Sequence, residues 1–102
     1  MSDLANKIEH YFNKRGLKWP TTEKALMFSE TEMAEVYEHL LAEEGGWTRN
    51  NPENKPEYDN QEFAKELGDV IMMVMVAGMV RGLDPIDALV QKMENKLAKL
   101  ES

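Results

Sequence analysis

Residues 62–82, EFAKELGDVIMMVMVAGMVRG, decide how the rest of the chain folds. The stretch opens with charges and then runs apolar for longer than an ordinary strand, with no helix breaker before Gly82. It predicts a buried helix. At 100° per residue, Glu62, Glu66, Asp69, Met73, Val76 and Val80 fall within about 80° of one another, so acids head a stripe that continues apolar. A carboxylate on an inward face loses its hydration, a cost of several kcal/mol per ion unless cations replace the water. No Lys or Arg lies on that stripe.

Outward from this helix the chain reads as more helices. Leu4, Ile8, Tyr11 and Phe12 have amphipathic spacing that Gly16 can end. LKWPTT then connects, with Thr21 or Thr22 as a cap. A second helix over 22–44 carries Leu26, Met33, Tyr37, Leu40 and Leu41 on one face and stops at Gly45-Gly46. Glu30 falls inside its apolar arc, where a cross-subunit ion pair is the one role it suggests.

Residues 45–60 hold no hydrophobic period and predict a loop that brings Trp47, Arg49, Lys55 and Tyr58 as candidates for reaching a ligand; disorder is an equal reading. Asp59 and Glu62 resemble a capping box for the central helix. Beyond Gly82, Asp84-Pro85 begins a fourth helix with Ile86, Leu89, Val90, Met93, Leu97 and Leu100 on one face. The short turn predicts that it folds back antiparallel on the central helix.

The expectation is one all-α domain over 1–102, a small four-helix bundle. Because the central helix is apolar nearly all round from Val70, one chain has too few neighbours to cover it. A homodimer or homotetramer is expected. The N-terminus lacks the apolar run of a signal peptide, the apolar part of the central helix is too short for a bilayer, and there is no cysteine. These point to a cytoplasmic protein without a membrane partner. A net charge of −7, from 12 Lys plus Arg and 19 Asp plus Glu, disfavours nucleic acid. Five of the eight methionines lie in residues 72–93, where thioethers fill an irregular core or a subunit contact.

Two acid pairs at helical spacing carry the chemistry. Glu32 and Glu35 stand one turn apart on the second helix, and Glu66 and Asp69 repeat that geometry on the central one. If the helices lie side by side, four carboxylates converge, and an all-oxygen cluster selects Mg²⁺ first and Mn²⁺ second. A di-iron bundle needs a Glu-x-x-His pair from each of two helices, and neither His10 nor His39 follows a Glu at that spacing. His39 reads as a surface residue. No cysteine nucleophile, base-paired serine or glycine-rich phosphate loop is present. Lys92, Lys96 and Lys99, with Asn95 beside them, form a basic flank suited to phosphate oxygens, with plain solvation an equal reading. Trp19 reads first as cover for the core edge and second as contact for a planar ligand.

TEMAEVYEHL, then EFAKELGDVIMMVMVAGMV, then KMENKLAKL resemble the MazG family of all-α nucleoside triphosphate pyrophosphohydrolases over about Leu26 to Lys99. That family's signature is two adjacent glutamates, a third three residues on, and a later Glu-x-x-Asp usually read ELGD. The resemblance implies Glu32, Glu35, Glu66 and Asp69 as Mg²⁺ ligands, and Lys92, Asn95 and Lys99 as phosphate contacts. Thr31 stands where the family often has the first of its adjacent glutamates. All-α dUTPases and phosphoribosyl-ATP pyrophosphohydrolases share the scaffold, so the base stays open. The expected reaction is (d)NTP plus water to (d)NMP plus pyrophosphate. Glu35 or Glu38 would orient or deprotonate the water, the lysine flank including Lys96 would steady pyrophosphate, and Phe12, Trp19 or Trp47 would stack on the base. The alternative is a non-catalytic, oligomeric interaction module whose acids are a surface patch.

Overall fold

The computed structural model describes residues 1–43 and 59–102, and these form four helices without a strand. They are α1 (Asp3–Arg15), α2 (Thr22–Glu43), α3 (Asn60–Met79) and α4 (Pro85–Glu101). Residues 45–58 of the expected loop, with Trp47, Arg49, Lys55 and Tyr58, lie outside the described residues, as does the Gly45-Gly46 stop.

Local chemistry sets the described ends. Ser2 Oγ accepts the Ala5 N–H at 3.2 Å to start α1, and Gly16 closes it at φ 63°, a left-handed conformation that a glycine adopts without Cβ strain. Thr21 Oγ1 accepts from the Lys24 N–H at 3.1 Å at the head of α2. Asp59 Oδ1 accepts from the Gln61 and Glu62 amides at 2.7 and 3.4 Å, capping α3. Glu62 does not complete a capping box; its carboxylate pairs with Lys65 at 3.1 Å, a helical i,i+3 contact. Asp84 Oδ1 accepts from the Ile86 and Asp87 amides, and its Oδ2 accepts from the Ser2 N–H at 2.7 Å. These bonds, the one from Ser2 foremost, hold the Asp84 carboxyl below its ordinary pKa and tie the head of α1 to the head of α4.

The central element is the antiparallel α2–α3 hairpin. Thr22 Oγ1 donates to the Ala77 carbonyl at 2.9 Å and accepts from Arg81 Nε at 2.9 Å. Arg81 Nη2 also pairs with Glu23 at 3.2 Å, which fastens the start of α2 to the end of α3. α1 lies across one side of the hairpin and contributes Ala5, Ile8 and Phe12 to a core with Ala25, Met75, Val76 and Ala77.

The fourth helix departs from expectation. It does not fold back along α3: none of its residues is buried, and only Ile86, in its first turn, joins the core. The turn fixes this departure locally. Gly82 at φ 74° and the Leu83 N–H donating to the Gly78 carbonyl at 3.0 Å end α3 abruptly. Pro85 then sits so close that a Cβ on Gly78 would meet its Cγ at 2.7 Å and Cδ at 2.9 Å. A proline ring cannot swing aside as a flexible side-chain tip would. Gly78→Ala should therefore lose stability even though alanine is worth about 1 kcal/mol over glycine in a helix, because the overpacking costs roughly 1–3 kcal/mol. Urea denaturation checks this; a raised midpoint would show that α4 can leave α3 at another angle without loss.

Candidate metal centre

α2 and α3 bring the two acidic turns to a common place. Glu32, Glu35 and Glu66 each offer a carboxylate oxygen, and these three oxygens lie within 4.8 Å of one another. Asp69 stands outside that group, close enough for its charge to act on both Glu32 and Glu66. Glu38, one turn further along α2, is not part of the convergent trio.

Electrostatics show the strain in this arrangement. Glu32 is half-buried, and its carboxyl is pushed up from 4.5 by desolvation first, then by the charges of Glu35 and Asp69. Glu66 is pushed up by the adjoining Glu35 carboxyl, with which it forms a hydrogen bond when one of the two holds a proton, and then by burial and by the same charges. Its Oε2 is buried without a hydrogen-bond partner. An orphaned acceptor among like charges is costly, and two things relieve it: a proton or a cation. An oxygen-only donor set suits a hard divalent ion, so these residues fit Mg²⁺ or Mn²⁺.

His39, half-exposed on α2 and outside the convergent trio, stands near these acids. Its positive charge favours the ionised form of Glu66. Its Nδ1 lies 3.2 Å from the Glu35 carbonyl, which can only accept, so Nδ1 carries a hydrogen. Positions 32, 35 and 39 recur at three and four along α2, a spacing that could have revealed it.

Beside Glu32 opens a cavity of about 380 Å³ lined by Tyr11, Phe12, Leu17, Lys18, Pro20, Phe28, Thr31, Met72 and Met73. Apolar walls with few polar groups at one end are what a planar ligand with a charged tail requires. Phe12 lines this cavity with Glu32, although most of its ring is core. Trp19 does not line this cavity; it stacks on Phe12 at 4.2 Å between centroids and 20° between planes. Trp19 instead lines a larger cavity, about 480 Å³, with Met1, Glu9, Asn13, Met79 and Leu83. That space has no convergent acids and we assign it no chemistry.

Lys92, Asn95, Lys96 and Lys99 lie on the exposed α4. Among the described residues, no lysine or arginine acts on the Glu32 or Glu66 carboxyl. Asn95 accepts from Gln91 Nε2 at 3.3 Å along the same helix. Lys18, in the α1–α2 connector, shares the cavity wall with Glu32. No periodic pattern marks Lys18, and only packing reveals it.

No family model, curated protein or solved structure matches the chain. The fold is therefore stated from its own coordinates: an all-α chain in which, among the described residues, no helix is long and apolar enough to cross a membrane.

Proposed function

We propose that the chain is a Mg²⁺-dependent nucleoside triphosphate pyrophosphohydrolase of the MazG type, converting a (d)NTP and water to a (d)NMP and pyrophosphate. One observation carries the reading: three carboxylate oxygens within 4.8 Å, with a buried and unpartnered Glu66 oxygen, one of the three residues, Glu32, also lining an aromatic cavity. Glu32, Glu35 and Glu66 would hold the ion, Mn²⁺ serving as a substitute, and Asp69 would add charge from the margin. A divalent ion held there would supply Lewis-acid polarisation of phosphoryl oxygens and would lower the pKa of a water. The residues do the rest. Glu35 or Glu38 orients the attacking water and accepts its proton. Tyr11, Phe12 and Phe28 receive the base, and Lys18 lies within the same wall to meet a phosphate or the sugar edge. The α4 lysines stay in the reading as phosphate contacts only if another copy presents them, which agrees with an oligomeric, cytoplasmic enzyme.

The second reading, an interaction module without catalysis, is favoured by one observation, the extent of apolar surface on α2, α3 and α4. A panel of ribo- and deoxynucleoside triphosphates, incubated with and without Mg²⁺ and assayed for pyrophosphate, separates the two. Turnover that needs the metal supports the hydrolase. No turnover across the panel leaves the interaction module.

A further inference from the structure

The cavity of about 480 Å³ that Trp19 lines holds one acid, Glu9, too few for a reaction, and its lining is that of a binding site. It shares only Pro20 with the cavity beside Glu32, so the two are separate spaces with a wall between them. Phe12 and Trp19 make that wall. Their stack takes one face of the indole, and the ring, 37% exposed, lines the larger cavity with what the stack leaves.

Glu9 is the one charged side chain among the lining residues. Ala5, Asn6, Phe12 and Asn13 occupy the positions three and four away along the chain, so no basic residue stands within helical reach of it. Among the described residues no ion pair holds it. Asn13, one turn further along α1, lines the same cavity and adds an amide oxygen that accepts hydrogen bonds. Met79, Val80 and Leu83 supply an apolar floor where α3 gives way to its turn. Such a lining selects by charge. An anion is repelled and a neutral molecule gains nothing from the carboxylate, whereas a cation meets both the carboxylate and the indole ring.

We infer that this cavity binds a primary organic ammonium ion, its ammonium group held by Glu9 and Asn13 beside the Trp19 ring and its apolar body on Met79, Val80 and Leu83. A primary ammonium suits the site better than a quaternary one, because it brings three N–H donors to the carboxylate and the amide oxygen. The net charge of −7 draws such an ion toward the chain. The site needs neither metal nor hydrolysis and does not depend on the catalytic reading.

The test uses 2-phenylethylammonium, with 2-phenylethanol and 3-phenylpropanoate as its neutral and anionic counterparts. In a Trp47→Phe chain Trp19 is the one remaining indole, so its emission reports on the cavity while calorimetry gives the stoichiometry. The ammonium should bind one per chain, about tenfold or more tighter than the alcohol, and the anion more weakly than either. Glu9→Gln should remove the preference for the cation; Glu9 is exposed, so the circular dichroism of this variant should match that of the native chain. Glu66→Gln should leave the affinity for the ammonium unchanged, because the acidic centre lies across the wall. Three results overturn the inference: no saturable binding of the ammonium, equal affinity for the alcohol, or an affinity that falls in Glu66→Gln and not in Glu9→Gln. Absence of pyrophosphate release alongside the expected binding would strike the hydrolase and leave this site standing, and release without ammonium binding would do the reverse.

Discussion

Glu66→Gln reduces metal-dependent pyrophosphate release by more than about 100-fold and, with no metal present, raises the thermal midpoint. The two expected effects come from one geometry. Losing a ligand carboxylate costs at least what losing an outer-shell partner costs, which is about 10–100-fold. Yet in the absence of metal the same carboxylate lies among Glu32, Glu35 and Asp69 with one oxygen buried and unpartnered. Glutamine keeps the shape, removes the charge and can donate to Glu35. Stability and activity therefore move in opposite directions, as they do where a site is held against its own repulsion. Unchanged turnover would remove Glu66 from the metal centre, and a lower apo midpoint would remove the strain assigned to it.

The pH dependence follows with a definite sign. Glu32 and Glu66 both have folded-state pKa values raised above 4.5. Between 4.5 and those raised values the folded state binds more protons than the unfolded state, so these two groups lower stability as pH rises through the window and keep it lowered above. Asp84 runs the other way, because its pKa is depressed and its contribution is lost as pH falls. The informative quantity is thus the difference between Glu66→Gln and the native chain. It should grow with rising pH without metal, then reverse in saturating Mg²⁺, since the ion competes with protons for the same oxygens.

What the sequence made legible is what neighbours along the chain decide. Asp59 and Asp84-Pro85 mark helix starts through bonds to amides two or three residues away, and they act as expected; Gly82 is left-handed, as suits a glycine, but α3 ends before it, at Met79 with Val80 as its cap. The acid register was legible too, because a 3.6-residue period places Glu32 with Glu35, and Glu66 with Asp69, whatever else the fold does. The stance of α4 was not. Periodicity tells which side of a helix is apolar and is silent on which surface covers it, so Ile86–Leu100 read equally well as a fold-back helix or as one awaiting another chain. Lys18 and the Trp19–Phe12 stack depend on how the connector crosses α1, a contact that no local pattern encodes.

Met75→Ala should cost about 2–5 kcal/mol, a large share of the roughly 5–15 kcal/mol that holds a domain folded. Met75 is 1% exposed and lies in the cluster where α1 meets the hairpin, with Ile8, Phe12 and Val76. Truncation there removes the buried thioether and leaves a cavity beside a core that is small to begin with. Met75→Leu, which conserves volume, should cost less than about 1.5 kcal/mol. Urea unfolding at two protein concentrations separates this loss from dissociation: a core cavity lowers stability equally at both, whereas the exposed face at Ile71 and Val74 acts through concentration. If Met75→Ala proved as mild as Met75→Leu, α1 would not be anchored where the structure places it. The wall of the cavity beside Glu32, which α1 supplies through Tyr11 and Phe12, would then lose its support as well.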